Sequence, residues 1–175
     1  MHVDVAAELK IIEAQCGDPD RLRLAFAYAC VERVRHLLED SNVIGCLEVL
    51  AEYLDGRATR LQLESAAADA VALADRHQGS RSLDGVGHAA VSASYAVALA
   101  LRGRAGGAAD YAAYAIVYGG GGYGAVSDLD SFVPEKSWQV ARLGELASAL
   151  PKATGAASLA VHPERQRLAT RLTLR

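Results

Sequence analysis

Four places in this 175-residue chain bring together groups of a kind that do chemistry. The first is Gly119-Gly120-Gly121-Gly122-Tyr123-Gly124, a run that invites comparison with phosphate-binding loops. Such a loop needs Gly-Lys-Ser/Thr directly before a helix, so that backbone N–H groups and the lysine meet the phosphate. Here no lysine follows and no strand pattern precedes. A connector is expected instead, running on to about Val133, because four consecutive glycines resist the ordering a helix requires. The second is His36, with Glu32 one turn before it and Glu39 one turn after, the spacing at which a helical face holds a metal. No second histidine motif repeats the pattern, so the expectation is no metal and no cofactor.

The third and fourth are nucleophile candidates, which need a Ser or Cys beside a histidine that a carboxylate orients. Cys30 falls on an apolar helical stripe and reads as a small hydrophobe. His88, with Ser92 one turn on, reads as a buried histidine bonded to a neighbouring helix. Glu32 and Arg33 are adjacent, so their side chains diverge and each is free to pin a different element. Trp138, the single tryptophan, suits an anchor for its helix. None of these amounts to an active site, and a non-enzymatic role is expected.

Seven helical segments must position these groups. Val3 to Gln15 reads as a short helix. Asp18-Pro19 then opens the strongest one, which is expected to run to Asp40 with Leu22, Phe26, Ala29, Cys30, Val34, Leu37 and Leu38 on its inner face. Asp40-Ser41-Asn42 caps a third helix ending at Leu54, and Asp55-Gly56 closes it. Thr59 caps a fourth, reaching about His77. The fifth, about Leu83 to Leu101, has Gly85, His88, Ser92, Tyr95 and Leu99 as its expected inner line. The sixth spans Ala108 to Tyr118 with Tyr111, Tyr114 and Tyr118 on one face. Pro134 begins the seventh, which Pro151 stops.

Composition sets the class. The apolar share is 51%, aromatics are 6%, and alanine fills roughly a fifth of the chain. Alanine is the best helix former and loses no side-chain entropy on burial, whereas a chain poor in Ile, Thr and Phe is a poor sheet builder. The expected fold is all-α, a single-domain bundle of six to seven Ala-rich helices over residues 1–151, followed by a basic tail, 152–175, loosely docked or flexible. No apolar run reaches membrane-spanning length, and no leader pattern stands at Met1-His2-Val3-Asp4. Cys16, Cys30 and Cys46 cannot all pair, so a cytoplasmic, reduced protein is expected. From Lys152 onward five basic residues face one acid, Glu164, a balance of +4, so the −3 of the whole leaves −7 on the first 151 residues. An acidic body speaks against nucleic acid and for a basic protein partner, with the alternative that the negative charge merely keeps the protein in solution.

Several short motifs occur in an order that resembles a family of predicted immunity proteins from bacterial polymorphic-toxin systems. Cys30-Val31-Glu32-Arg33-Val34 is similar to a Cys-x-Glu-Arg-Val run in that family's first long helix, and Glu52 to Thr59 to its helix end and glycine turn. Gly87-His88-Ala89 and Asp110-Tyr111-Ala112 follow, and Glu135, Trp138-Gln139 and Arg142-Leu143 fit a Glu-x-x-Trp-Gln-x-x-Arg-Leu pattern. The resemblance covers about residues 20 to 147. The glycine run and the basic tail have no counterpart in it. It implies an all-α protein that binds and neutralises a cognate toxin, with Glu32, Arg33, His88 and Trp138 as motif positions that mainly build the architecture. Candidate toxin contacts are the acids near helix ends, Glu39, Asp40, Glu52, Asp55, Asp69 and Asp75. Two other readings stand beside it: a helical scaffold forming a homodimer through the tyrosine face, and a small enzyme using Glu32, His36 or His88.

Overall fold

The computed structural model describes residues 3–79 and 87–153, and these form a single all-α domain. The beginning of the expected fifth helix, before Gly87, and the tail after Ala153 lie outside the described residues. Among the latter, seven α-helices follow in order: α1 (Val5–Glu13), α2 (Pro19–Glu32), α3 (Ser41–Leu54), α4 (Arg60–Arg76), α5 (Gly87–Leu101), α6 (Ala105–Ser127) and α7 (Val133–Ser148). Their starts follow local chemistry. Asp18 accepts from the Arg21 N–H at 3.0 Å with Pro19 at the first helical position, and Asp40 accepts from the Asn42 N–H at 2.8 Å. Thr59 and Gln62 form a reciprocal capping box at the head of α4.

Helix α5 is the axis of the bundle. It packs along α6 on one side and α4 on another, with α2 lying across both α5 and α6 and α7 closing over α2. Ala89, Ala90, Ala93, Ala96, Val97 and Ala100 are all buried, because a helix enclosed on several sides must be apolar around most of its circumference. Small side chains there let neighbouring backbones approach closely. The larger volume comes from the surrounding helices: Leu22 and Phe26 of α2, Leu47 and Leu50 of α3, Leu63 of α4 and Leu143 of α7 are fully buried.

Three expectations change. Helix α2 ends at Glu32, not Asp40, and a single 3-10 turn over Arg35–Leu37 carries the chain to Leu38. Val34 and Leu38 are buried by this tighter path, which keeps the apolar spacing that imitates a continued α-helical stripe. On α5, the line through His88, Ser92, Tyr95 and Leu99 is not the inner one. Ser92 is buried, Tyr95 and Leu99 are half-buried, and His88 is exposed, since the enclosed faces admit only small side chains.

The glycine run is the third change. It is not a loop to Val133: α6 continues through it to Ser127, and the break is confined to Gly122, at φ 61° and ψ −152°. Gly119 lies against Ala89 of α5 and Leu37, so the first glycine of the run is held by packing that propensity alone does not supply. The conformation at Gly122 is nearly exclusive to glycine. Gly122→Ala will therefore lower stability by about 1–3 kcal/mol. Gly120→Ala, whose new methyl meets nothing within 4 Å, will raise it by about 0.5–1 kcal/mol. Denaturant midpoints of the two variants check the opposite signs.

Candidate functional site

The motif residues meet where α2 crosses α7. Cys30 and Arg33 stand at the end of α2, while Glu135, Trp138 and Gln139 lie on successive turns of α7. Arg33 grips Glu135 with two nitrogens: Nε donates to Oε2 at 2.9 Å and to Oε1 at 3.1 Å, and Nη2 donates to Oε2 at 2.7 Å. The Glu135 side chain is only 3% exposed, whereas that of Arg33 is 38% exposed. A carboxylate held this deeply requires such a bidentate partner. Gln139 completes the arrangement, its Nε2 donating to the Ala109 carbonyl of α6 at 2.9 Å and to Glu135 Oε1 at 3.5 Å. The guanidinium carbon of Arg33 stands 4.1 Å from the centre of the Trp138 ring, a cation–π contact. The ion pair thus joins α2 to α7, and Gln139 beside it ties α7 to α6.

Cys30 is completely buried beside this pair. Burial pushes its thiol far above the ordinary range, and the Glu135 carboxylate pushes it further in the same direction. A nucleophilic cysteine needs the thiolate, so this one packs. Among the described residues, no buried side-chain nitrogen or oxygen lacks a hydrogen-bond partner. Glu32, adjacent to Arg33, diverges from it as its position on the helix dictates and bonds Arg35 at 3.2 Å. It faces a groove of about 520 Å³ between α2 and α7, together with Tyr28, Trp138 and Arg142.

His88 does not join this group. It stands at the head of α5 and shares a 2.7 Å hydrogen bond between Nε2 and the Tyr123 hydroxyl, beyond the kink of α6. Tyr118 contacts both rings edge-on, with centroids 5.1 Å from each, and stacks on Tyr114. The histidine does bond a neighbouring helix as expected, but on the surface instead of in the core. His36 is exposed on the 3-10 turn, and Glu32 is engaged with Arg35. Glu32, His36 and His88 therefore do not converge on one pocket, and among the described residues no three His, Cys, Asp or Glu side chains are arranged to hold a metal.

The six acids fall into three groups. Glu39, Asp40 and Asp69 border two adjoining grooves at the start of α3, where Asp40 also caps the helix. Glu52 and Asp55 stand at the other end of α3, roughly 20 Å away at 1.5 Å per residue, with Asp55 paired to Arg57 at 2.9 Å. Asp75 turns towards α5 and accepts from the Tyr95 hydroxyl at 3.1 Å. All six belong to one hairpin. From Glu39 to the end of α4 at Arg76 there are eight acids and three arginines, a net charge of −5 against −3 for the whole chain. Helix α3 carries no lysine or arginine.

Sequence reasoning missed the pairing of Arg33 with Glu135, although the signal was present. Glu135, Gln139 and Leu143 repeat at intervals of four, so two polar residues occupy the stripe that buries Leu143. Polar groups on a core-facing stripe imply partners across the interface. The Tyr123–His88 bond gave no such signal, because it depends on the helix running through the glycines.

Among the described residues, no helix is long and apolar enough to cross a membrane. Compared with known proteins, the chain matches no family model, no curated protein and no solved structure.

Proposed function

We propose that this protein is an immunity protein, which binds a cognate bacterial toxin and blocks it by covering a basic surface. The observation that carries this reading is the concentration of negative charge on the α3–α4 hairpin, −5 from Glu39 to Arg76. Such a surface raises encounter rates with a cationic partner and selects its orientation. The division of labour among residues supports the same reading. Arg33, Glu135, Trp138 and Gln139 are engaged in joining helices, which leaves the exposed acids as the groups presented outward on a stiff frame.

The resemblance to predicted immunity proteins agrees with this role. The partner in this reading is the toxin domain encoded beside this chain's gene. Purified together, the two chains will elute as one complex that loosens as salt is raised, because screening weakens attraction between exposed charges. Separate elution at low salt, with no protection of cells producing the toxin, contradicts the reading.

A homodimer is the second reading, favoured by one observation: Tyr111 and Tyr123 are 41% and 63% exposed beside the stacked tyrosines of α5 and α6. Light scattering of the pure chain distinguishes the two, since only this reading requires a mass that doubles as concentration rises.

A further inference from the structure

Between α6 and the start of α7 lies a small cavity of about 190 Å³. Two periodicities build its walls. Asp110, Ala113 and Tyr114 stand three and four residues apart on α6 and so share one face. Leu129 and Phe132 are three apart in a 3-10 turn over Leu129–Phe132, where such residues eclipse, and both reach the cavity. Lys136, on the first turn of α7, continues that second wall. Most of the lining is apolar, and the two charged groups on it have opposite signs.

Those two groups do not satisfy each other. Among the described residues no ion pair joins them, and no donor bonds the Asp110 carboxylate. Burial holds that carboxyl above the usual carboxylate range, while Lys136 pulls it down and Asp4 pushes it up. The Lys136 ammonium stands 5.9 Å from the centre of the Phe132 ring. A partly desolvated carboxylate and an ammonium, one on each wall of an apolar cavity, ask for a ligand that answers both. Such a compound carries an ammonium, a carboxylate and an apolar body on a short frame. The volume is that of roughly six waters, which suits an aliphatic amino acid.

We propose that this cavity binds a free aliphatic α-amino acid of about leucine's size. Its ammonium meets Asp110, its carboxylate meets Lys136, and its side chain lies against Tyr114, Leu129 and Phe132. Leu129, 74% exposed in the free chain, gains cover in the complex. The ligand bridges α6 and α7, apart from the acidic α3–α4 hairpin, so this inference does not rest on the toxin-binding reading.

The test is calorimetric titration of the full chain with L-leucine and with its two half-molecules. Isocaproate keeps the carboxylate and the side chain, and isoamylamine keeps the ammonium and the side chain. Leucine is expected to bind saturably, and each half-molecule about tenfold more weakly or worse, the size of one lost charge-assisted contact. Asp110→Asn should weaken leucine about tenfold and leave isocaproate unchanged. Lys136→Met should weaken leucine about tenfold and leave isoamylamine unchanged. A purely structural role for the two residues does not give that crossed pattern. The comparison of the three ligands uses wild type alone, so it decides even where a variant fails to fold.

Absence of saturable leucine binding at millimolar concentration overturns the proposal. So does a half-molecule that binds as tightly as leucine, which makes the cavity a site for a simple cation or anion. Leucine binding that neither variant weakens places the ligand elsewhere on the chain, and likewise overturns it.

Discussion

Arg33→Met will lower the unfolding free energy by about 3 kcal/mol, the low end of the range for breaking a buried ion pair from one side. The cost arises from the partner left behind. Glu135 is 3% exposed, and without the guanidinium its carboxylate retains only the long 3.5 Å contact from Gln139. Arg33 itself is 38% exposed, so water reaching the vacated space keeps the loss from the upper end of that range. Loss of the contact with the Trp138 ring adds to it by about 0.5–1 kcal/mol. Changing both partners, Arg33→Met with Glu135→Met, will recover a large part of the loss, since no uncompensated charge then remains. Urea denaturation of the two single variants and the double variant gives the coupling directly. A coupling near zero would mean that the pair does not fasten α7 to α2.

The second large effect is on association. Glu52→Lys, Asp55→Lys and Asp69→Lys together shift the charge by +6 on a hairpin that carries −5 from Glu39 to Arg76, and so cancel its negative field. All three residues are exposed, and none supplies a capping side chain; Asp40, which does, is left in place. Stability will change little, because exposed substitutions of this kind act within about 0.5 kcal/mol each. If the proposed toxin binding is correct, the association rate with the toxin domain will fall about a hundredfold at low salt, within the range that electrostatic steering supplies. The gap between wild type and variant will narrow as salt is raised. Stopped-flow fluorescence at two salt concentrations measures both quantities.

What the sequence made legible was local. Asp18-Pro19, Asp40 and Thr59 stand at the helix starts they announce, because capping is a contact between residues two or three apart. The alanine content indicated a bundle with closely approaching helices. The features that sequence reading misplaced depend on tertiary context. Val34, Leu37 and Leu38 keep helical spacing while the backbone leaves the helix, since burial in a tight turn satisfies the same pattern. Glycines 119–121 stay helical, with Gly119 set against Ala89 of α5 and Leu37 of the Arg35–Leu37 turn, and only Gly122 adopts the conformation that glycine alone tolerates. Of the candidate site, Arg33 and Trp138 do come together, and His88 lies elsewhere, on the aromatic surface with Tyr118 and Tyr123. Spacing along a chain says which residues share a face, and the crossing of α2 over α7 decides which faces meet.

The central claim is that this chain acts by presenting acidic surface to a toxin and not by chemistry at its motif residues. Growth of cells producing the neighbour-encoded toxin domain tests it most directly, with wild type, the triple lysine variant of Glu52, Asp55 and Asp69, and His88→Ala made at equal levels. Wild type and His88→Ala are predicted to protect, and the triple variant to fail. Failure of wild type to protect, or full protection by the triple variant while His88→Ala loses it, would contradict the account.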